Sequence, residues 1–323
     1  MQRGAHLTMK AAQRLALATA LLTLLLVAVG AYVRATGSGL GCPDWPTCHG
    51  GVVPPGDKQP VIEYTHRFVA SLVGLMVIAT AAFAWRHYRH APFTVWTAML
   101  AVPLVVLQGI LGAITVWTEL PPEIVATHLL TAMLVLSCQL AVAVSMYAED
   151  PDRRATFASL ARARTRPAGT LAVAALIWMA AVLWVGGYMA ESGASTACAD
   201  WPTCNGFAML PGADDQEITH MVHRYLAGGF VFFIVPFAVS TWRRQGDLPW
   251  ARELAVAAGL LYVAQVVAGA LNVWWVFPDE LTVAHTTIAA GVWFTLSAAA
   301  LLALYRPVAA SAASRLSPVE AVA

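Results

Sequence analysis

CPDWPTC, residues 42–48, and CADWPTC, residues 198–204, are two copies of one seven-residue clip. Asp, Trp, Pro and Thr stand in the same places between the cysteines, so the chain carries a duplication, and the extent of that duplication decides the fold. Cys42, Asp44, Trp45, Pro46 and Cys48 recur 156 residues on as Cys198, Asp200, Trp201, Pro202 and Cys204. One residue is then inserted and the offset becomes 157. His66-Arg67 returns as His223-Arg224, Gln108 as Gln265, Trp117 as Trp274, Glu123 as Glu280 and His128 as His285. The repeated unit covers roughly 14–146 and 169–305.

The composition says where such a unit can live. Hydrophobic residues make up 59% of the 323 residues and charged residues 11%, against roughly 25% charged in soluble domains. Apolar runs of the length that crosses a bilayer, about 20 residues, fall near 15–33, 67–85, 92–117, 124–146, 169–189, 223–242, 254–275 and 282–305. The third and seventh are the least uniform, being interrupted by Pro103, Gln108, Gln265 and Asn272. The first follows a basic lead (Arg3, Lys10, Arg14) like a signal peptide. Its far end, GAYV at 30–33, recurs as GGYM at 186–189 inside the fifth run, so it is read as an uncleaved part of the fold.

The expected fold is an all-α integral membrane protein with eight transmembrane helices. An even number of spans per copy gives both copies one orientation, hence two tandem four-helix bundles about a pseudo-two-fold axis along the membrane normal. The expected divisions are an N-terminal segment 1–14, a first bundle 15–146, an Arg-rich linker 147–168, a second bundle 169–305 and an Ala- and Ser-rich tail 306–323. Fifteen of the 19 Lys and Arg residues lie before helix 1, in the even-to-odd connections or after helix 8. By the positive-inside rule both termini face the cytoplasm and both clips face outward. A net charge of +1 and the lack of any recognisable motif give no support for nucleic-acid binding.

On the outer face cysteines meet an oxidising compartment. Each clip is then either a structural staple closed through a Pro-containing turn or a redox-active thiol pair, and zinc knuckles use other spacings. Cys138, within the fourth span, has no counterpart and reads as an apolar filler.

Of nine histidines, His6, His87 and His90 fall in cytoplasmic segments. His66, His128, His223 and His285 lie near the outer ends of the even-numbered spans, and each half separates its pair by 62 residues. Two imidazoles per bundle are too few for a closed zinc site, and no carboxylate cluster supports a di-iron centre. Two axial histidines do suit haem, whose macrocycle supplies the other iron ligands. Arg67 and Arg224, each next to such a histidine, and Arg34 at the same end are candidates to fork onto haem propionates. Gln108 and Gln265 read first as packing residues. The competing reading makes the histidines interhelical hydrogen-bonding groups.

The halves then differ where chemistry would require it. Glu63, in EYTH, stands three residues before His66, and the matching position before His223 is His220, in HMVH. Arg34 aligns with Ala190 and His49 with Asn205. If helix 2 begins early enough, Glu63 and His66 share a face, which makes Glu63 a candidate for proton transfer. Otherwise it is a helix-start acid favoured by the macrodipole.

VRATGSGLGCPDWPTCHG at 33–50, EYTHR at 63–67, QGILGAITV at 108–116 and the histidines at 128, 223 and 285 resemble haem A synthase. The resemblance covers nearly the whole chain. It implies oxidation of one haem O methyl group to a formyl group, through hydroxymethyl and geminal-diol stages, giving haem A for terminal oxidases. It also implies substrate haem on His66 and His128, a haem b cofactor on His223 and His285, Glu63 as the essential acid, and cysteine pairs Cys42–Cys48 and Cys198–Cys204. A haem O synthase upstream, a terminal oxidase or its assembly factors downstream, an unidentified electron acceptor, surrounding lipid and possible homo-oligomers are the implied partners. The setting is a bacterial plasma membrane. A non-catalytic dihaem cytochrome, a haem carrier and a solute transporter remain as other readings of the residues.

Overall fold

The computed structural model describes residues 2–150, 166–206, 214–244 and 249–305. Most of the linker and the whole tail 306–323 lie outside the described residues. The described helices are α1 (Gln2–Ala35), α2 (Lys58–His87), α3 (Pro92–Trp117), α4 (Pro122–Ala148), α5 (Arg166–Glu191), α6 (Asp215–Gly229), α7 (Val231–Arg244), α8 (Pro249–Trp274) and α9 (Asp279–Leu304). Among the described residues there is no strand, and eight helical spans are long and apolar enough to cross a membrane, α6 and α7 together making one of them.

Local chemistry sets several of the boundaries. α3 and α4 each begin at a proline, Pro92 and Pro122, where the missing N–H and the preset φ cost nothing. α6 starts on a capping box: the Asp214 side chain accepts from the Glu217 N–H, and the Glu217 side chain accepts from the Asp214 N–H, so two orphan donors are satisfied reciprocally. The sixth span, expected as one helix, is broken at Phe230. Pro236 cannot donate to the carbonyl one turn before it. Gly229 lets α5 close in, because a Cβ there would lie 2.9 Å from the Trp178 ring. The carbonyls near the break are used: Leu226 accepts from Trp178 Nε1 at 2.7 Å and Ala227 from the Tyr262 hydroxyl at 3.1 Å. Water is scarce at this depth, so such added side-chain partners help a broken helix persist.

Within the first half α1 packs on α2 and α4, α2 on α3, and α3 on α4. The second half repeats these neighbours, with α6–α7 in the place of α2. Between the halves α4 meets α5, α1 meets α9, and α4 meets α9. α4 and α9 are the most buried spans. Their seam holds Met133 and Leu136 against Val292, Trp293 and Leu296. Trp293 Nε1 donates to the Met133 carbonyl at 3.1 Å and to the Ser137 hydroxyl at 2.8 Å, and Ser137 and Ser297 share a bond of 3.3 Å. Polar bonds of this kind join helices in lipid, where the hydrophobic effect gives no net pull between them. α5 comes close to α4 at Gly187, where a Cβ would lie 3.1 Å from Ala126 Cα. Cys138 is a free thiol, partly buried beside Val73, Val77 and Ala101, as a filler should be.

Candidate functional site

Both clips are closed rings: Cys42 is bonded to Cys48 and Cys198 to Cys204. Their interior is organised by aspartate. Asp44 accepts from the Thr47 hydroxyl, from His49 N–H at 2.5 Å and from Gly50 N–H at 2.9 Å. Asp200 accepts from the Thr203 hydroxyl at 3.0 Å and from Gly206 N–H at 2.8 Å. His49 and Asn205, counted as a difference between the halves, perform one task. His49 Nε2 donates to the Gly41 carbonyl at 3.0 Å, and Asn205 Nδ2 donates to the Ala197 carbonyl at 3.2 Å. Both sit at positive φ, 53° and 52°, a region that Asn and His visit more readily than most side chains. Each clip tryptophan lies edge-on to the last residue of a helix, Trp45 on Trp117 of α3 and Trp201 on Trp274 of α8, with centroids 6.1 and 6.0 Å apart.

Below each clip stand the histidine pairs. His66 projects from α2, His128 from α4, His223 from α6 and His285 from α9. Each ring is partly open, yet each Nδ1 is buried with no hydrogen-bond partner. Every ring also faces a glycine on a neighbouring helix. A Cβ would stand 3.2 Å from His66 Cε1 at Gly30, 3.3 Å from His128 at Gly112, 2.7 Å from His223 at Gly186 and 3.1 Å from His285 at Gly269. Removing the Cβ lets an imidazole lie against the next helix. The sequence holds this signal, since Gly30 and Gly186 share the 156 offset and Gly112 and Gly269 the 157 offset, but sequence reasoning passed over it.

These features fit haem. Among the described residues no group of three or more His, Cys, Asp or Glu could hold a bare ion. Paired imidazoles with unused ring nitrogens suit a metal that brings its own equatorial ligands.

The halves part company at Glu63. α2 begins at Lys58 with no acid in its first turn, so the helix-start reading of Glu63 falls. Glu63 is 3% exposed and sits one turn before His66 on the same helix. Its Oε1 takes Arg67 Nη2 at 2.5 Å, and its Oε2 takes the Cys42 N–H at 2.8 Å. Arg67 also donates to the carbonyls of Cys42 (3.1 Å), Asp44 (2.6 Å) and Thr47 (2.7 Å). Its Nη donors are thus engaged by the clip and the carboxylate.

Arg224 reaches the second clip in the same way, donating to the carbonyls of Asp200 (2.9 Å), Pro202 (3.4 Å) and Thr203. Among the described residues it makes no ion pair with a carboxylate. His220 stands in the place of Glu63, its Nδ1 donating to the Ala194 carbonyl at 3.0 Å, and Arg224 Nη2 is left buried without a partner. The glutamines differ as well. Gln108 Nε2 donates to the His128 carbonyl at 3.0 Å, whereas Gln265 Nε2 donates to His285 Nε2 at 3.0 Å.

Residues 13–297 match the family model described as cytochrome oxidase assembly protein, COX15-CtaA. The chain belongs to this family. Its similar relatives carry the name "Heme A synthase". The one from Alkalihalophilus pseudofirmus is 32% identical over 78% of this chain and 83% of its own length. That from Geobacillus kaustophilus is 30% identical over 89% and 90%, and that from Symbiobacterium thermophilum 31% over 90% and 94%. The family match takes in all four histidines, both clips and Glu63, so every element of the site lies inside the cytochrome oxidase assembly region of the chain.

Proposed function

We propose that this chain is a haem A synthase, binding haem O between His66 and His128 and oxidising one of its methyl groups to a formyl group. The change adds one oxygen atom, removes hydrogen from the carbon, and sends electrons to an acceptor. His223 and His285 would hold haem b, which when bound supplies a one-electron relay. The observation that carries the reading is the position of Glu63: a buried carboxylate one turn from a candidate ligand in one half, replaced by His220 in the other. A pair of equal electron-transfer sites has no use for that difference.

The chain's own residues have separable tasks. His66 and His128 orient the substrate ring, with Gly30 and Gly112 making room for their imidazoles. Glu63 offers carboxylate oxygens to a proton leaving the oxidised carbon, or a negative charge that stabilises positive charge developing there. Arg67 and the Cys42 N–H hold that carboxylate in a single position, which is the preorganisation that such a role needs. Surrounding lipid and apolar helix faces accommodate the prenyl tail. In this setting a prenyl-transferring haem O synthase supplies the substrate, and a terminal oxidase or its assembly factors receive the product. The charge distribution supports a bacterial plasma membrane location with the clips outward.

Mass spectrometry of haems extracted from the parent and from Glu63→Ala, each produced with a haem O source, tests the proposal. The expected result is haem b with haem A in the parent, and accumulated haem O or a hydroxylated intermediate in the variant. Unmodified haem b alone in both would make the chain a dihaem cytochrome.

A further inference from the structure

Arg34 lies in the last turn of α1, and its Nε is 3.9 Å from Oε1 of Glu191, which ends α5. The pair therefore joins the halves. In the duplication Arg34 matches Ala190, and Glu191 matches Ala35, so the symmetry-related place holds no charge. At 3.9 Å this is an ion pair rather than a hydrogen bond, and among the described residues the Arg34 guanidinium makes no hydrogen bond. α1 packs against α9, the helix that carries His285. α5, which Glu191 ends, also carries Gly186, the glycine that faces His223.

The three arginines at this end thus divide unequally. Arg67, in the first half, has its Nη donors engaged by three carbonyls and Glu63. Arg224 keeps a buried Nη2 without a partner, and Arg34 keeps its fork, both toward the second half. A haem has two propionates, and guanidinium forks are well matched to carboxylates. The site with spare guanidinium donors suits a resident haem. The site without them suits a haem that must leave.

We infer that Arg34 crosses from the first half to serve the haem of the second, and that Arg34 and Glu191 together set that haem's reduction potential. This rests on the reading that His223 and His285 hold haem. Reduction adds one negative charge at the iron, so a nearby cation stabilises the reduced form and a nearby anion opposes it. The two members of the pair must act with opposite signs. A merely structural tie between α1 and α5 would not, because cutting it from either side has the same consequence.

The experiment is a potentiometric titration of the haem spectrum in the purified full-length protein, with His285→Ala identifying the second-half signal. Arg34→Ala should lower that potential, by about tenfold in the reduction equilibrium constant, or ~59 mV for a one-electron couple. Glu191→Gln should raise it, and Arg34→Lys should stay near the parent. Loss of the second-half haem alone from Arg34→Ala would also support the assignment. Unmoved potentials, or shifts of one sign in both variants, overturn it. If His285→Ala removes no haem, the underlying haem reading is what fails.

Discussion

The backbone N–H of Cys42 donates to Glu63 Oε2 at 2.8 Å, so the disulfide clip and the acid beside His66 form one unit. Arg67 completes it, holding Glu63 Oε1 with one nitrogen and clip carbonyls with both. Arg67→Ala removes the clip's anchor and leaves a buried carboxylate without its cation. Breaking a buried pair from one side costs about 3 kcal/mol or more. The expected outcome is a lower unfolding temperature together with loss of haem A formation, while the second-half haem spectrum persists. Retained haem A formation would show that the anchor is dispensable.

A sharper separation of fold from chemistry comes from Glu63→His. This writes the second-half arrangement into the first, since His220 already occupies the matching place with its ring bonded to a backbone carbonyl. The variant should bind haem O and leave it unoxidised. Extracted haem measured by mass spectrometry gives the answer, and appreciable haem A would remove Glu63 from the reaction.

The glycines facing the histidines should be graded in sensitivity. At Gly186 a Cβ would stand 2.7 Å from His223, closer than real Cβ contacts allow, while at Gly112 the distance to His128 is 3.3 Å. Gly186→Ala must turn the His223 ring and should strip most of the second-half haem. Gly112→Ala asks for a few tenths of an ångström and should keep most of the first-half haem. Haem-to-protein ratios and the low-spin bands of the two variants report this, and equal losses would contradict it.

Asp44 lies in the clip, outside the spans. The Thr47 hydroxyl and then the Gly50 N–H hold its carboxyl down to about 2. An unfolded aspartate titrates near 3.9, so the folded value is the lower one. The carboxylate's contribution to the clip is therefore complete above about pH 4 and disappears as pH falls through the folded value. Carbon-13 NMR of the aspartate carboxyls, assigned with Asp44→Asn, should find this midpoint near 2, and an ordinary midpoint would count against the hydrogen-bonded clip.

Much of this was legible in the sequence because it depends on spacing. Apolar length gave the spans, the 156 and 157 offsets gave the halves, and the 62-residue separation singled out the histidines. What was hidden depends on where a side chain goes. Arg67 and Arg224 follow their histidines in sequence, and adjacency does not reveal that both guanidiniums fold back onto clip carbonyls. Glycine is ordinary in membrane helices, so Gly30, Gly112, Gly186 and Gly269 gave no warning that each faces an imidazole. The ion pair of Arg34 and Glu191 joins residues 157 apart that have no duplicate, and repeat analysis is blind to whatever occurs once. His49 and Asn205 misled in the other direction, since two different side chains make one hydrogen bond.

The seam between α4 and α9 has a consequence for biosynthesis. α4 leaves the ribosome with Ser137, the Met133 carbonyl and the Met133 and Leu136 side chains prepared for a helix that is made last. Until α9 inserts, the first four helices have an unfinished wall, which lipid or an insertion chaperone must cover. Assembly of the half that carries Glu63 is thereby withheld until the end of translation, and a chain truncated before Trp293 should be cleared by membrane proteases although its first four helices are fully encoded.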